Sequence, residues 1–203
     1  STELGTRYTP DELRALTDTA HELGMWLYLD GARLANAAAG LGLELREVSS
    51  DCGVDVMSLG LTKNGALGVE AVVVLRPELH GIAPFARKQA MQLGSKMRYL
   101  AAQVVALLEG DLWRRNAAHA NAMAQRLAAG VAGAPGLRLS HPVEANAVFA
   151  ELPAAAVAPL MQVAPFLEWD PARHQVRWMC AWDTPPEDVD AFAAAVHEVL
   201  AAT

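Results

Sequence analysis

The stretch Ser58-Leu59-Gly60-Leu61-Thr62-Lys63-Asn64-Gly65 decides how this chain is read. It closes a short apolar run, Asp55 to Leu59, with the composition of a strand buried on both faces of a sheet. Past the run, Gly60, Gly65 and Gly68 allow a close backbone approach, and Thr62 and Asn64 put short hydrogen-bonding side chains beside the lysine. Upstream, Tyr28-Leu29-Asp30-Gly31-Ala32-Arg33-Leu34 repeats the arrangement: Met25 to Leu29 reads as a strand and Asp30 stands just past it. Glu70 to Leu75 is a third run. Helical signals alternate with these strands. Thr9-Pro10-Asp11-Glu12 combines a capping residue, a proline suited to the first helical position and a capping-box glutamate. Leu13, Leu16, Ala20 and Leu23 then form an apolar stripe that ends at Gly24, and Ala32 to Leu41 reads as a second helix. The alternation predicts an α/β fold with a mainly parallel sheet. In such sheets ligands bind at the carboxyl ends of strands, where Asp30 and Lys63 both fall.

The second half has a different grain. From about Gln89 to Gly130 the pattern is helical and Ala-rich, and Gly133 to Gly136 break it. Leu137 to Ser140, Ala147 to Leu152, Val163 to Leu167 and Gln175 to Trp182 read as strands. Ala154 to Gln162 and Pro186 to Leu200 read as helices. This predicts a smaller α+β domain over residues 111–203, after a larger α/β portion over residues 1–110. Ser1 to Tyr8 reads as the tail of a preceding strand and loop, as expected of a fragment or a processed chain.

Composition narrows the function. The chain has 203 residues, 53% hydrophobic and 19% charged, so a packed core is expected rather than disorder. A net charge of −7 argues against nucleic acid or an anionic membrane surface as the main partner. No apolar run reaches the ~20 residues needed to cross a bilayer. Cys52 and Cys180 show no metal-ligand spacing and read as reduced thiols, which points to a cytoplasmic protein without a metal site.

Taken alone, Lys63 would read as a solvated surface lysine, Asp30 as a helix cap and Arg33 as half of a structural salt bridge. Together they suggest a cofactor. A lysine that condenses with an aldehyde and an acid that holds a protonated ring nitrogen are the minimal toolkit of pyridoxal phosphate (PLP) chemistry. Arg33, three residues past Asp30, is placed to donate to the same group.

The two motifs closely resemble those of the low-specificity threonine aldolases, PLP enzymes of the β-eliminating lyase group with the aspartate aminotransferase fold. The resemblance continues through Thr2-Glu3-Leu4-Gly5-Thr6, Ser95-Lys96-Met97-Arg98, Pro142-Val143-Glu144-Ala145-Asn146, Val176-Arg177-Trp178 and Trp182-Asp183-Thr184, in collinear order. It implies that Lys63 is the Schiff-base lysine and Asp30 the partner of the ring nitrogen. Thr62 and Arg33 are then cofactor contacts, Arg33 on the phenolic-oxygen side, and Arg98 reaches a neighbouring subunit's cofactor phosphate. Arg177 grips the substrate α-carboxylate, although from alternation alone it would be an exposed strand charge. Two departures stand out: Tyr28 where members often have His, and Gly94-Ser95-Lys96 where one subfamily has a glycine triplet. Family members also carry an earlier part of the fold that supplies a phosphate cradle and a stacked histidine. The six histidines here sit in no such motif and read as surface or helix-face residues.

The resemblance implies cleavage of a β-hydroxy-α-amino acid, threonine or allo-threonine, to glycine and an aldehyde. It also implies a homodimer or homotetramer with shared sites. The alternatives are another PLP-dependent β-eliminating lyase or aminotransferase, or a catalytically silent interaction module.

Overall fold

The computed structural model describes residues 1–203. It divides into two units, Tyr8–Asn116 on one hand, and Ser1–Arg7 with Ala117–Thr203 on the other. The Tyr8–Asn116 unit opens with helix α1 (Pro10–Glu22). Its capping box is complete: Thr9 Oγ1 accepts from Glu12 N at 3.3 Å, and Glu12 Oε2 accepts from Thr9 N at 2.8 Å. Then follow β1 (Tyr28–Gly31), α2 (Leu34–Leu41), β2 (Val56–Gly60) and β3 (Glu70–Val74). The three strands form one sheet in the order β1-β2-β3.

β1 and β2 are parallel, with Asp30 opposite Ser58, but β3 returns antiparallel to β2. The connection from Leu61 to Val69 holds only a short 3₁₀ turn, whereas a parallel return needs a crossover of about a dozen residues or more. β1 is also shorter than the apolar run predicts, and Met25, Trp26 and Tyr28 are exposed. β1 lies at an edge of this sheet, so its outer row has no neighbouring strand within the chain. Of the α1 stripe, Leu13 is buried while Leu16 and Leu23 face outward.

After α3 (Ala83–Gln89), the helical stretch expected from about Gln89 to Gly130 is divided into α4 (Met97–Leu108) and α5 (Leu112–Gly130). Met91 and Gly110 adopt left-handed backbone at φ 58° and 59°, which no α-helix continues through. The division between the two units falls within α5.

The second unit holds β4 (Arg138–Leu139), β5 (Ala147–Glu151), α6 (Ala154–Val163), β6 (Leu167–Asp170), β7 (Gln175–Met179) and α7 (Pro186–Ala201). Its sheet is antiparallel throughout, in the order β4-β5-β7-β6. Val163, expected to open a strand, instead ends α6, and β6 begins at Leu167. One sheet face (Val148, Ala150, Val176, Trp178) is buried in a core with Leu127, Val131, Leu160 and Val196 of the helices. Strand alternation turns Phe149 and Arg177, which are register partners, to the other face. No helix in the chain is long and apolar enough to cross a membrane.

A buried acid ties the first unit together at the end of β2 opposite Lys63. Asp55, 4% exposed, accepts from Leu27 N at 2.7 Å and from Arg76 Nη1 at 2.6 Å, and its Oδ2 lies 2.8 Å from His21 Nε2. Burial alone would raise its pKa, but the bonds from His21, Leu27 and Arg76 outweigh it and hold the group at about 2, below its ordinary 3.8. A depressed carboxylate stabilises the fold fully above its unfolded pKa, and that stability is lost as pH falls from about 4 toward 2. The shift corresponds to about 2 kcal/mol. Asp55→Asn is therefore expected to lower stability at neutral pH by roughly that amount and to flatten the acid limb of a urea-denaturation series between pH 4 and 2. An unchanged acid limb would show that Asp55 does not govern it.

Candidate active site

Because β1 and β2 are parallel, Asp30 and the turn carrying Lys63 emerge at the same end of the sheet. Two glycines make that end possible. A Cβ built on Gly31 would lie 2.1 Å from Ser58 O, and one on Gly60 would lie 2.3 Å from Ala32 O. Neither distance tolerates a side chain, so any other residue would push the ends of the two strands apart.

Asp30 is exposed and oriented by its neighbours. Its Oδ1 accepts from Ala32 N at 3.0 Å and from Ser58 Oγ at 3.3 Å, and Ser58 Oγ also accepts from Gly31 N at 3.0 Å. The bond to Ala32 N means that Asp30 does act locally as a turn residue ahead of α2, which starts at Leu34 rather than Ala32. Arg33 is the half-buried residue immediately before α2.

Lys63 stands exposed in a 3₁₀ turn, Thr62–Asn64, that is pinned on both sides. Glu70, at the start of β3, accepts from Leu61 N at 3.0 Å and Thr62 N at 3.2 Å, and Thr62 Oγ1 donates to Val69 O at 3.2 Å. Asn64, 3% exposed, donates to Trp113 O at 3.0 Å, and its own carbonyl accepts from Asn116 Nδ2 at 2.8 Å. The turn is thus held by its backbone and its neighbours while the lysine side chain stays available. Asn64, expected as a hydrogen-bonding side chain beside the lysine, turns to Trp113 instead; Ser58 and Glu70 are supports that the motif reading passed over. Each had a signal in the sequence: a polar residue inside or at the edge of an apolar run, where an unpaired polar group is costly.

The remaining expected residues lie elsewhere. Arg98 is exposed in the first turn of α4. Arg177 belongs to the other unit, on β7. It is half-buried rather than a solvent-facing strand charge; its guanidinium carbon sits 4.9 Å over the Trp169 ring, and its Nε is buried without a hydrogen-bond partner. Four of the six histidines make polar contacts within the fold. His21 meets Asp55, and His80, His119 and His197 lie within hydrogen-bond distance of the Val74, Thr184 and Gly130 carbonyls. Cys52 and Cys180 are buried and free, and burial pushes the Cys180 thiol up to about 11.

Comparison with known proteins adds to this geometry. The β-eliminating lyase family model matches residues 1–155. The low specificity L-threonine aldolase of Pseudomonas aeruginosa is 44% identical over 202 residues, and that of Pseudomonas sp. is 42% identical over 202. Each alignment takes in 100% of this chain but 58% of the relative, so the chain spans little more than half the length of these curated proteins. Among solved structures, the Leishmania major threonine aldolase superposes with a TM-score of 0.90 at 30% identity, over 98% of this chain and 59% of that one. The α-aminoadipate aminotransferase LysN of Thermus thermophilus superposes with a TM-score of 0.66 at 18% identity, over 96% of this chain and 55% of that one. The second likeness speaks for the fold alone: the chain has part of the mixed α/β architecture of the fold-type I, aspartate aminotransferase-like proteins.

Proposed function

Since the chain belongs to the β-eliminating lyase family, we propose that it is the carboxyl-terminal part of a PLP-dependent carbon–carbon lyase. The reaction is cleavage of a β-hydroxy-α-amino acid, threonine or allo-threonine, to glycine and an aldehyde. One observation carries this reading: Asp30 and Lys63 emerge at the same end of two parallel strands, each set by its own hydrogen bonds. The names of the Pseudomonas relatives support the substrate class.

The residues suit PLP by their chemistry. An exposed lysine amine on a fixed turn can hold an aldehyde covalently, and an exposed carboxylate held by two donors matches a ring N–H. When bound, PLP supplies an electron sink for the electron pair freed as Cα–Cβ breaks. The protein's part is positioning and charge. Asp30 holds a proton at the ring nitrogen, and Ser58 and Ala32 N–H hold Asp30. Glu70 and Asn64 fix the turn from which Lys63 projects. Thr62 and Arg33 are cofactor contacts, and Arg98 serves the phosphate of a neighbouring subunit in a homodimer or homotetramer. Arg177 takes the substrate carboxylate bidentately, which sets the orientation of the bond to be broken. The Tyr8–Asn116 unit belongs to the large PLP-binding domain, and the Ala117–Thr203 portion forms the small one. Two buried, free cysteines accord with a cytoplasmic setting.

The full-length protein loaded with PLP is expected to convert L-threonine or L-allo-threonine to glycine and acetaldehyde in equal amounts. Amino-group transfer to a keto acid without release of aldehyde would overturn the lyase assignment in favour of an aminotransferase.

A further inference from the structure

We propose that Trp169 is a positioning residue for Arg177, and that its indole face holds the guanidinium as a receptor for a planar carboxylate. This rests on the reading of Arg177 as the carboxylate clamp. Trp169 lies on β6 and Arg177 on the neighbouring β7. The pairing of these strands skips a residue: Leu167 faces Arg177, Glu168 faces Val176, and Asp170 faces Gln175. Trp169 is the residue left without a cross-strand partner. Such bulges re-aim a side chain, and here the indole lies beneath the guanidinium, 4.9 Å from its central carbon.

The indole is itself braced. Its ring meets Phe149 edge-on at 5.5 Å and 86°, and Phe149, 1% exposed, meets His141 at 5.6 Å and 86°. Gly5, at φ 79°, closes over the same phenylalanine; a Cβ there would lie 3.3 Å from Phe149 Cε2. The guanidinium therefore rests on a stack braced by a buried phenylalanine on the same sheet face. An aromatic face attracts the cation but consumes none of the in-plane N–H donors. The Nε donor is buried and unpartnered. A stacked guanidinium with unused in-plane donors suits a bidentate planar anion, which is the geometry of a carboxylate.

The test uses the full-length, PLP-loaded protein and calorimetric titration with two ligands: glycine, and ethanolamine as an amine without a carboxylate. Trp169→Leu is expected to raise the Kd for glycine about tenfold, and Trp169→Phe, which keeps a weaker ring, by about threefold. The Kd for ethanolamine should stay unchanged in both. In an Arg177→Ala background, itself weakened for glycine about a hundredfold, Trp169→Leu should add nothing. Should Trp169→Leu fail to fold, Trp169→Phe carries the test alone. Equal losses for glycine and ethanolamine, or additive losses in the double variant, would overturn the positioning role while leaving Arg177 as the clamp. An Arg177→Ala protein that binds glycine normally would instead remove the clamp itself, and the proposal with it.

Discussion

Replacing Lys63 by alanine is expected to reduce kcat for L-threonine cleavage by about three orders of magnitude or more, with little change in stability. The structure separates these two effects. The turn is held by Glu70 on the Leu61 and Thr62 amides, by the Thr62 hydroxyl on Val69 O and by the side chains of Asn64 and Asn116. None of these bonds uses the lysine side chain, and Lys63 is exposed. Exposed substitutions of this kind usually cost less than about 0.5 kcal/mol. Thermal denaturation should therefore match the parent protein while turnover disappears. Near-normal turnover would return Lys63 to the status of a solvated surface lysine.

The second large effect is expected at Asp30, where asparagine is more informative than alanine. Asparagine keeps an oxygen that can accept from Ala32 N and Ser58 Oγ, so the turn ahead of α2 survives. It removes only the charge that would keep a ring nitrogen protonated. Asp30→Asn should cut kcat by about a hundredfold or more with unchanged stability, because the loss falls on charge stabilisation in the transition state. Asp30→Ala should lose both turnover and part of the turn. Full activity in Asp30→Asn alongside weakened folding in Asp30→Ala would mean that the aspartate is a turn residue and nothing more.

What the sequence disclosed was local. The capping box at Thr9 and Glu12 and the position of Lys63 just past an apolar run depend on residues a few places apart and stand in the structure, whereas Asp30, expected just past its strand, lies inside β1. The glycine-flanked turn also stands, although the glycines that matter most, Gly31 and Gly60, act by letting two strands touch rather than by admitting a ligand. What escaped depends on partners distant in the chain. The antiparallel return of β3 was legible only in the shortness of the link from Leu61 to Val69. The breaks at Met91 and Gly110 were outweighed by alanine-rich composition on either side. Asp55, which joins His21, Leu27 and Arg76, read as no more than the first residue of a strand. Arg177 could not be placed by alternation until the core showed that Val176 and Trp178 face inward. Trp169 had no signal, because its position depends on a register shift between two strands.

The central claim is that the Lys63 amine is the covalent anchor of the cofactor, and the chain offers a direct test because it has only three lysines, Lys63, Lys88 and Lys96. The full-length, PLP-loaded protein would be reduced with borohydride, digested, and mapped by mass spectrometry. The expected result is a phosphopyridoxyl group on the peptide carrying Lys63 and on no other lysine peptide of this chain. A label on Lys88 or Lys96, or no label on the Lys63 peptide from a protein that shows the visible cofactor band, would contradict the account.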